Sequence, residues 1–284
     1  MVYPALVLVA RGGNADNVRV LLEKGANVNE AGGGGGTALM YGSFDGHSKI
    51  VVVLLAAGAN VDQADNNGWT SLILGSQNGH QVVVRLLLDR GADVNLANND
   101  GVTPLIISSL GGHQDAVKML LAKGAKVDHA NNDGVTPLIM SNQKGHQEVV
   151  KLLLDRGADV YQASNNGLTP LTAASFNGHH DIAKLLLKSG ADVDHADNNG
   201  HTALSTAVYN GHTAVASLLR HWSFTIPRRL ATYACILHAI ELEECRATQD
   251  EPVEELLQRL ARTPDDIVRV VVLLSATEEP QKMS

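Results

Sequence analysis

The chain is poor in aromatic residues, cysteine and positive charge, and it has no long apolar run. Phe, Tyr and Trp make up 4% of its 284 residues against 27 glycines. That ratio counts against one compact globule, where the three aromatics usually supply much of the buried area. Apolar residues still reach 44%, enough for a folded core. The two cysteines, Cys235 and Cys245, are ten residues apart. On a continuous helix that is about 15 Å, beyond disulfide reach, and it suits a reducing compartment. Lys and Arg number 22 against 30 Asp and Glu, for a net charge of -8 and a pI near 5.8. A phosphate-backbone binder has the opposite balance, so no nucleic-acid partner is expected.

The apolar start "VYPALVLVA" is short, has no basic region before it and ends at Arg11, which makes a poor secretion signal. No stretch reaches the roughly 18 uninterrupted apolar residues of a membrane span. A soluble protein of the cytoplasm or nucleus, without membrane insertion, is expected. The polar ending "EEPQKMS" reads as a natural C-terminus, whereas the start in mid-unit leaves the N-terminal side open.

What the chain does have is a period. The pair Gly46-His47 recurs as Gly79-His80, Gly112-His113, Gly145-His146, Gly178-His179 and Gly211-His212, always 33 residues on. Thr37, Thr70, Thr103, Thr136, Thr169 and Thr202 keep the same step, and so does the column from Gly25 to Gly190. Three columns in one register mark a stacked array.

Residues 133–165 show how one unit is built. Asp133-Gly134 signals a tight turn, and Thr136-Pro137 supplies an N-cap and a first helical residue. This helix is short and stops at Gly145. A second helix, "QEVVKLLLDR", carries Val149, Val150, Leu152, Leu153 and Leu154 and ends at Gly157, which provides the left-handed residue. "ADVYQASNNG" then runs extended into the next turn.

This order of turn, helix, helix and extended finger resembles the ankyrin repeat, most closely at "GVTPLIISSLGGHQDAVKMLLAKGAKVD", residues 101–128. The resemblance covers residues 1–224 as seven units, at about 1–33, 34–66, 67–99, 100–132, 133–165, 166–198 and 199–224. It implies an all-α solenoid of helix-turn-helix units with β-hairpin fingers, the first unit lacking its own finger. Two features depart from the family. The histidine that commonly follows Thr-Pro-Leu is replaced by Met40, Ile73, Ile106, Ile139, Thr172 and Ser205, so apolar packing takes over from a hydrogen-bond network. The first finger contains Gly32 to Gly36, which forfeit side-chain contacts and add backbone entropy, so it is expected to be the loosest.

Six linker histidines invite a metal hypothesis, but geometry opposes it. Stacked helices lie about 8 to 10 Å apart, whereas imidazoles sharing a zinc each sit about 2.0 to 2.1 Å from it. The column is read as scaffolding that bonds to nearby backbone, and no metal or cofactor is expected. His129 and His195 are two units apart, and the adjacent His179 and His180 point in different directions. No nucleophile motif, P-loop, dinucleotide fingerprint or Cys-x-x-Cys is present, so no catalytic residue is assigned and no enzymatic function is expected.

Partner binding in the family uses finger tips and the exposed edge of the first helix. Mapped here, the finger column contains Trp69, Val102, Val135, Leu168 and His201 after Gly36. The helix column contains Phe44, Gln77, Leu110, Gln143, Phe176 and Tyr209. These are the candidate partner-binding residues, rimmed by polar pairs from Asn66-Asn67 to Asn198-Asn199. Val102, Val135 and Leu168 are equally open to finger-on-finger packing. Trp69, a large anchor with a polar N–H, reads as binding. The resemblance also makes Asn95 a candidate for hydroxylation by an oxygen-sensing dioxygenase, with the protein as passive substrate.

Residues 225–284 are expected to form a mostly helical tail, with Leu230, Ala234, Leu237 and Ile240 on one face and Val253, Leu256, Leu257 and Leu260 on another. The segment "TPDDIVRVVVLLS" mixes a helix start with strand-favouring residues and is read as helix. The tail either caps the array or holds a second partner; no ubiquitin-ligase box is recognisable. The functional expectation is a monomeric, non-catalytic scaffold that holds a protein partner on its concave surface. The alternatives are a regulatory or inhibitory subunit of an enzyme, and a substrate-recognition adaptor acting through the tail.

Overall fold

The computed structural model describes residues 4–223, and the expected tail lies outside them. Met1–Arg220 form one compact unit. In it the first helices of successive pairs are α1 (Ala5–Arg11), α3 (Ala38–Phe44), α5 (Ser71–Gln77), α7 (Pro104–Gly111), α9 (Pro137–Lys144), α11 (Pro170–Phe176) and α13 (Ala203–Tyr209). The second helices are α2 (Ala15–Glu23), α4 (Ser48–Ala56), α6 (Gln81–Asp89), α8 (Gln114–Ala122), α10 (Gln147–Leu154) and α12 (His180–Lys188). Residues 213–220 are helical as well and complete a seventh pair among the described residues. First helices pack on first helices, second on second, and each helix on its own partner.

Local chemistry sets each start. Thr37, Thr70, Thr103, Thr136, Thr169 and Thr202 N-cap the first helices, each hydroxyl accepting an N–H three residues on at 3.2–3.3 Å. Proline follows at the first position of α7, α9 and α11. The linker glycine then turns left-handed; Gly145 has φ 79°.

Packing between the two layers is apolar. In α10, Val149, Val150 and Leu153 are buried, as are Leu138 and Ile139 of α9, the helix it packs on. Each such aliphatic side chain stabilises the array by roughly 1.5–3 kcal/mol. Met40, Ile73, Ile106 and Ile139, which replace the family's histidine, are buried too. Thr172 and Ser205 instead bond locally, to the hydroxyl of Thr169 and the N–H of Thr202.

The expected β-hairpin fingers are tighter than ladders. Among the described residues pairing is limited to two isolated bridges, Ala31 with Thr37 and Ala196 with Thr202. The turn is short, so the finger closes with two backbone bonds, as from Asn98 N–H to the Val102 carbonyl at 3.1 Å and from Gly101 N–H to the Asn98 carbonyl at 2.9 Å. The glycine finger keeps these backbone bonds, Gly32 N–H donating to the Gly36 carbonyl at 3.0 Å. It lacks the side-chain bonds of the others.

Candidate functional site

The finger column is held by the residue four positions before it. Asp65, Asn98, Asn131 and Asp197 accept the N–H of Trp69, Val102, Val135 and His201 at 2.8 Å, and the Ser164 hydroxyl accepts that of Leu168 at 3.2 Å. Trp69, Val102, Val135 and Leu168 are half-buried, and His201 is exposed with its ring 3.4 Å from the Asp197 carboxylate. Asp197 is held below the ordinary carboxylate value, first by the His201 N–H, then by the Asn199 N–H and the His201 ring, with partial desolvation acting against them.

The polar rim has a structural task that its sequence pattern conceals. Asn99, Asn132, Asn165 and Asn198 each donate a side-chain N–H to the carbonyl of the equivalent asparagine one finger back, at 2.9–3.1 Å. Their backbone N–H groups reach the previous finger as well, at 2.9–3.2 Å. The rim is therefore a ladder that zips the fingers together, because neighbouring tips lie within the reach of one amide side chain.

In the helix column, Phe44, Phe176 and Tyr209 are 40%, 54% and 90% exposed, while Gln77, Leu110 and Gln143 are half-buried. The carbonyls of this same column receive the linker histidines. Nε2 of His80, His113, His146, His179 and His212 lies 2.9–3.3 Å from the carbonyls of Phe44, Gln77, Leu110, Gln143 and Phe176, each 36 residues back. The histidines are scaffolding, yet the backbone they bond belongs to the preceding helix pair rather than their own. His80 and its equivalents start the second helices without a side-chain cap of their own, which leaves the ring available to the neighbour.

One further column passed unnoticed in the sequence. Leu8 is exposed, and Tyr41, Leu74, Ile107 and Met140 are half-buried one step of 33 apart; their presence on first helices at the linker-histidine period was the available signal. Two of them, with the finger and helix columns, meet at a cavity of about 270 Å³. Met40, Tyr41, Phe44 and Leu74 form its apolar wall, Gly36 its finger side, and Asp45, Asp65 and Arg11 its charged edge. The Arg11 guanidinium stands 5.0 Å from the Tyr41 ring centre.

Asn95 is half-buried and uses both ends of its amide, accepting the Lys126 N–H at 2.9 Å and donating to the Gly124 carbonyl at 3.2 Å. Among the described residues no group of three or more His, Cys, Asp or Glu side chains could hold a metal ion. No helix among them is long and apolar enough to cross a membrane.

No curated protein matches the chain. The family model described as Ankyrin repeats (3 copies) matches at residues 6–98, 90–164 and 161–227. With most of the sequence covered and the paired helices stacked in register, the chain belongs to the ankyrin repeat family.

Proposed function

We propose that the protein is a non-catalytic scaffold or adaptor whose first-helix and finger side, the concave face of the array, holds a protein partner. Ankyrin repeats generally mediate protein–protein interaction, and the observation that carries the finer reading is the exposure of Phe44, Phe176 and Tyr209. Large aromatics left in water at ends of helices whose stacking does not use them are typical of binding anchors. In this proposal Trp69, Val102, Val135, Leu168 and His201 flank them with Gln77, Leu110 and Gln143, seven units span residues 1–224, and residues 225–284 cap the array or recruit a second protein. The protein acts as a monomer in the cytoplasm or nucleus. Hydroxylation of Asn95 would require the release of both its bonds.

The test is a quantitative pull-down from source-cell lysate with the intact chain, a Phe44→Ala/Phe176→Ala/Tyr209→Ala variant and a Val82→Ser variant on the outer helix α6. Loss of the same partner with the triple variant alone supports the reading. Retention of every partner by the triple variant sinks it.

A further inference from the structure

We infer that the partner segment on this face is basic and seats one large apolar side chain in the cavity beside Gly36. The inference rests on the proposed binding face and adds the chemistry of what binds there.

Charge is segregated between the two sides of the array. Within residues 4–220, the second helices and their terminal turns carry twelve cations and seven carboxylates, whereas the first helices and connecting segments carry twelve carboxylates and three cations, Arg11, Lys126 and Lys144. Second-helix cations are partly matched on their own side, as in Lys118 with Asp115, Lys123 with Asp89 and Lys151 with Glu148. On the finger side, ion pairing among the described residues is limited to that of Asp197 with His201. Several of these acids hold turns, but the turns do not need charge: Asn98 and Asn131 make the bonds that Asp65 and Asp197 make. The surplus negative potential is therefore available to a cationic partner.

The cavity gives that partner a seat. Gly36 stands where the later fingers carry Trp69, Val102, Val135, Leu168 and His201, and without a side chain there the Tyr41 ring leans against the finger, 3.0 Å from where a Cβ would be, and walls the opening. Its volume of about 270 Å³ falls just under the roughly 300–1,000 Å³ of small-molecule sites, which suits a single side chain of a longer ligand. Asp45 is the C-cap of α3, at the negative end of the helix dipole, where folding alone disfavours a carboxylate. Asn78, Asn177 and Asn210 occupy that place in other pairs. With Asp65 on the same cavity, the two carboxylates outnumber Arg11 at its edge, so a lysine or arginine flanking the seated side chain finds an acid left over for it.

The test selects short random peptides, displayed on phage, against the full chain, then measures the enriched peptides on three variants. Gly36→Val sets the residue the later fingers use against the Tyr41 ring, at a backbone position that is not left-handed, and so narrows and reshapes the seat. Asp45→Asn/Asp65→Asn removes the charge with residues this chain already uses at those places. The Phe44→Ala/Phe176→Ala/Tyr209→Ala variant reports on the face as a whole, and circular-dichroism melts establish that each variant is folded. Enriched peptides are expected to pair an aromatic or branched apolar residue with Lys or Arg. They should bind the Gly36→Val chain at least about tenfold more weakly. The carboxylate variant should lose most of the salt dependence seen as the Debye length falls toward about 8 Å. Peptides that depend on the aromatic face but are neutral or acidic, or that bind Gly36→Val unchanged, overturn this inference and leave the binding face standing. Enriched peptides indifferent to the triple variant overturn both, and no enrichment over an unrelated protein overturns the inference.

Discussion

The junction between the fourth and fifth helix pairs and the one between the fifth and sixth use the same period but are not equally fastened. Three seams join the pair α7–α8 to α9–α10. Fingers zip through Asn132, His146 reaches the Leu110 carbonyl at 3.0 Å, and Asp128 accepts the Asp159 N–H at 2.9 Å. At the next junction the finger ladder continues through Asn165 and the linker bond stretches to 3.3 Å, from His179 to Gln143. The third seam is lost there. Asn29, Asp62, Asn95 and Asp128 each accept an N–H 31 residues ahead, and the next member of the column is Tyr161. Tyr161 is 61% exposed, a cavity of about 40 Å³ opens beside it, and α10 ends one residue earlier than α8 and α12. The seams are separable, so an array can loosen one junction without losing its register.

The largest break of this comparison is expected from Gly134→Val. Gly134 has φ 75°, and a Cβ on it would come within 2.8 Å of the Asn165 backbone nitrogen. Left-handed strain and a parted finger ladder should together cost roughly 2–4 kcal/mol, read from urea unfolding. A loss below about 1 kcal/mol would mean that the fingers contribute little to stacking.

Removal of one linker bond should cost less. His146→Ala is expected to destabilise by about 1 kcal/mol and His179→Ala by less, since the second bond is longer. Equal losses in the two urea curves would show that the ring acts through packing alone.

Restoring the missing seam sharpens the contrast from the other side. Tyr161→Asp gives the fifth pair the acceptor of its column and should raise stability by roughly 0.5–1 kcal/mol. Amide exchange at Asp192 is the local readout; an unchanged rate would refute the role given to this column.

The smallest effect concerns acid. Asp197 titrates below its ordinary value of 3.8, so its contribution is complete above that pH and is lost as pH falls through the lower folded value. Asp197→Asn keeps the turn acceptor and should change little at pH 7, while flattening the drop in urea midpoint below about pH 4.

How far the sequence reached can be judged at single residues. Thr136 as a cap, Gly145 as a helix stop and the apolar character of Val149, Val150, Leu152, Leu153 and Leu154 were legible because each depends on neighbours within one turn; that Leu152 and Leu154 are only half-buried was not. His146 was legible as scaffold but not in its partner, since Leu110 lies 36 residues back and only the translation between pairs brings the two together. Asn132 looked like a polar rim for the same reason. Gly36 read as lost contacts; the cavity beside it emerged once Tyr41, Phe44, Leu74 and Asp65 were placed around it.

The sequence by itself determined the repeat length, the helix boundaries and the apolar faces, because caps, turns and amphipathic stripes are set by residues within a few positions of each other. Only the tertiary structure decided which carbonyl each histidine takes, which asparagines zip the fingers, where the ladder fails at Tyr161 and where the acidic side opens a cavity. Those features follow from the spacing between stacked pairs, a distance that no single unit contains.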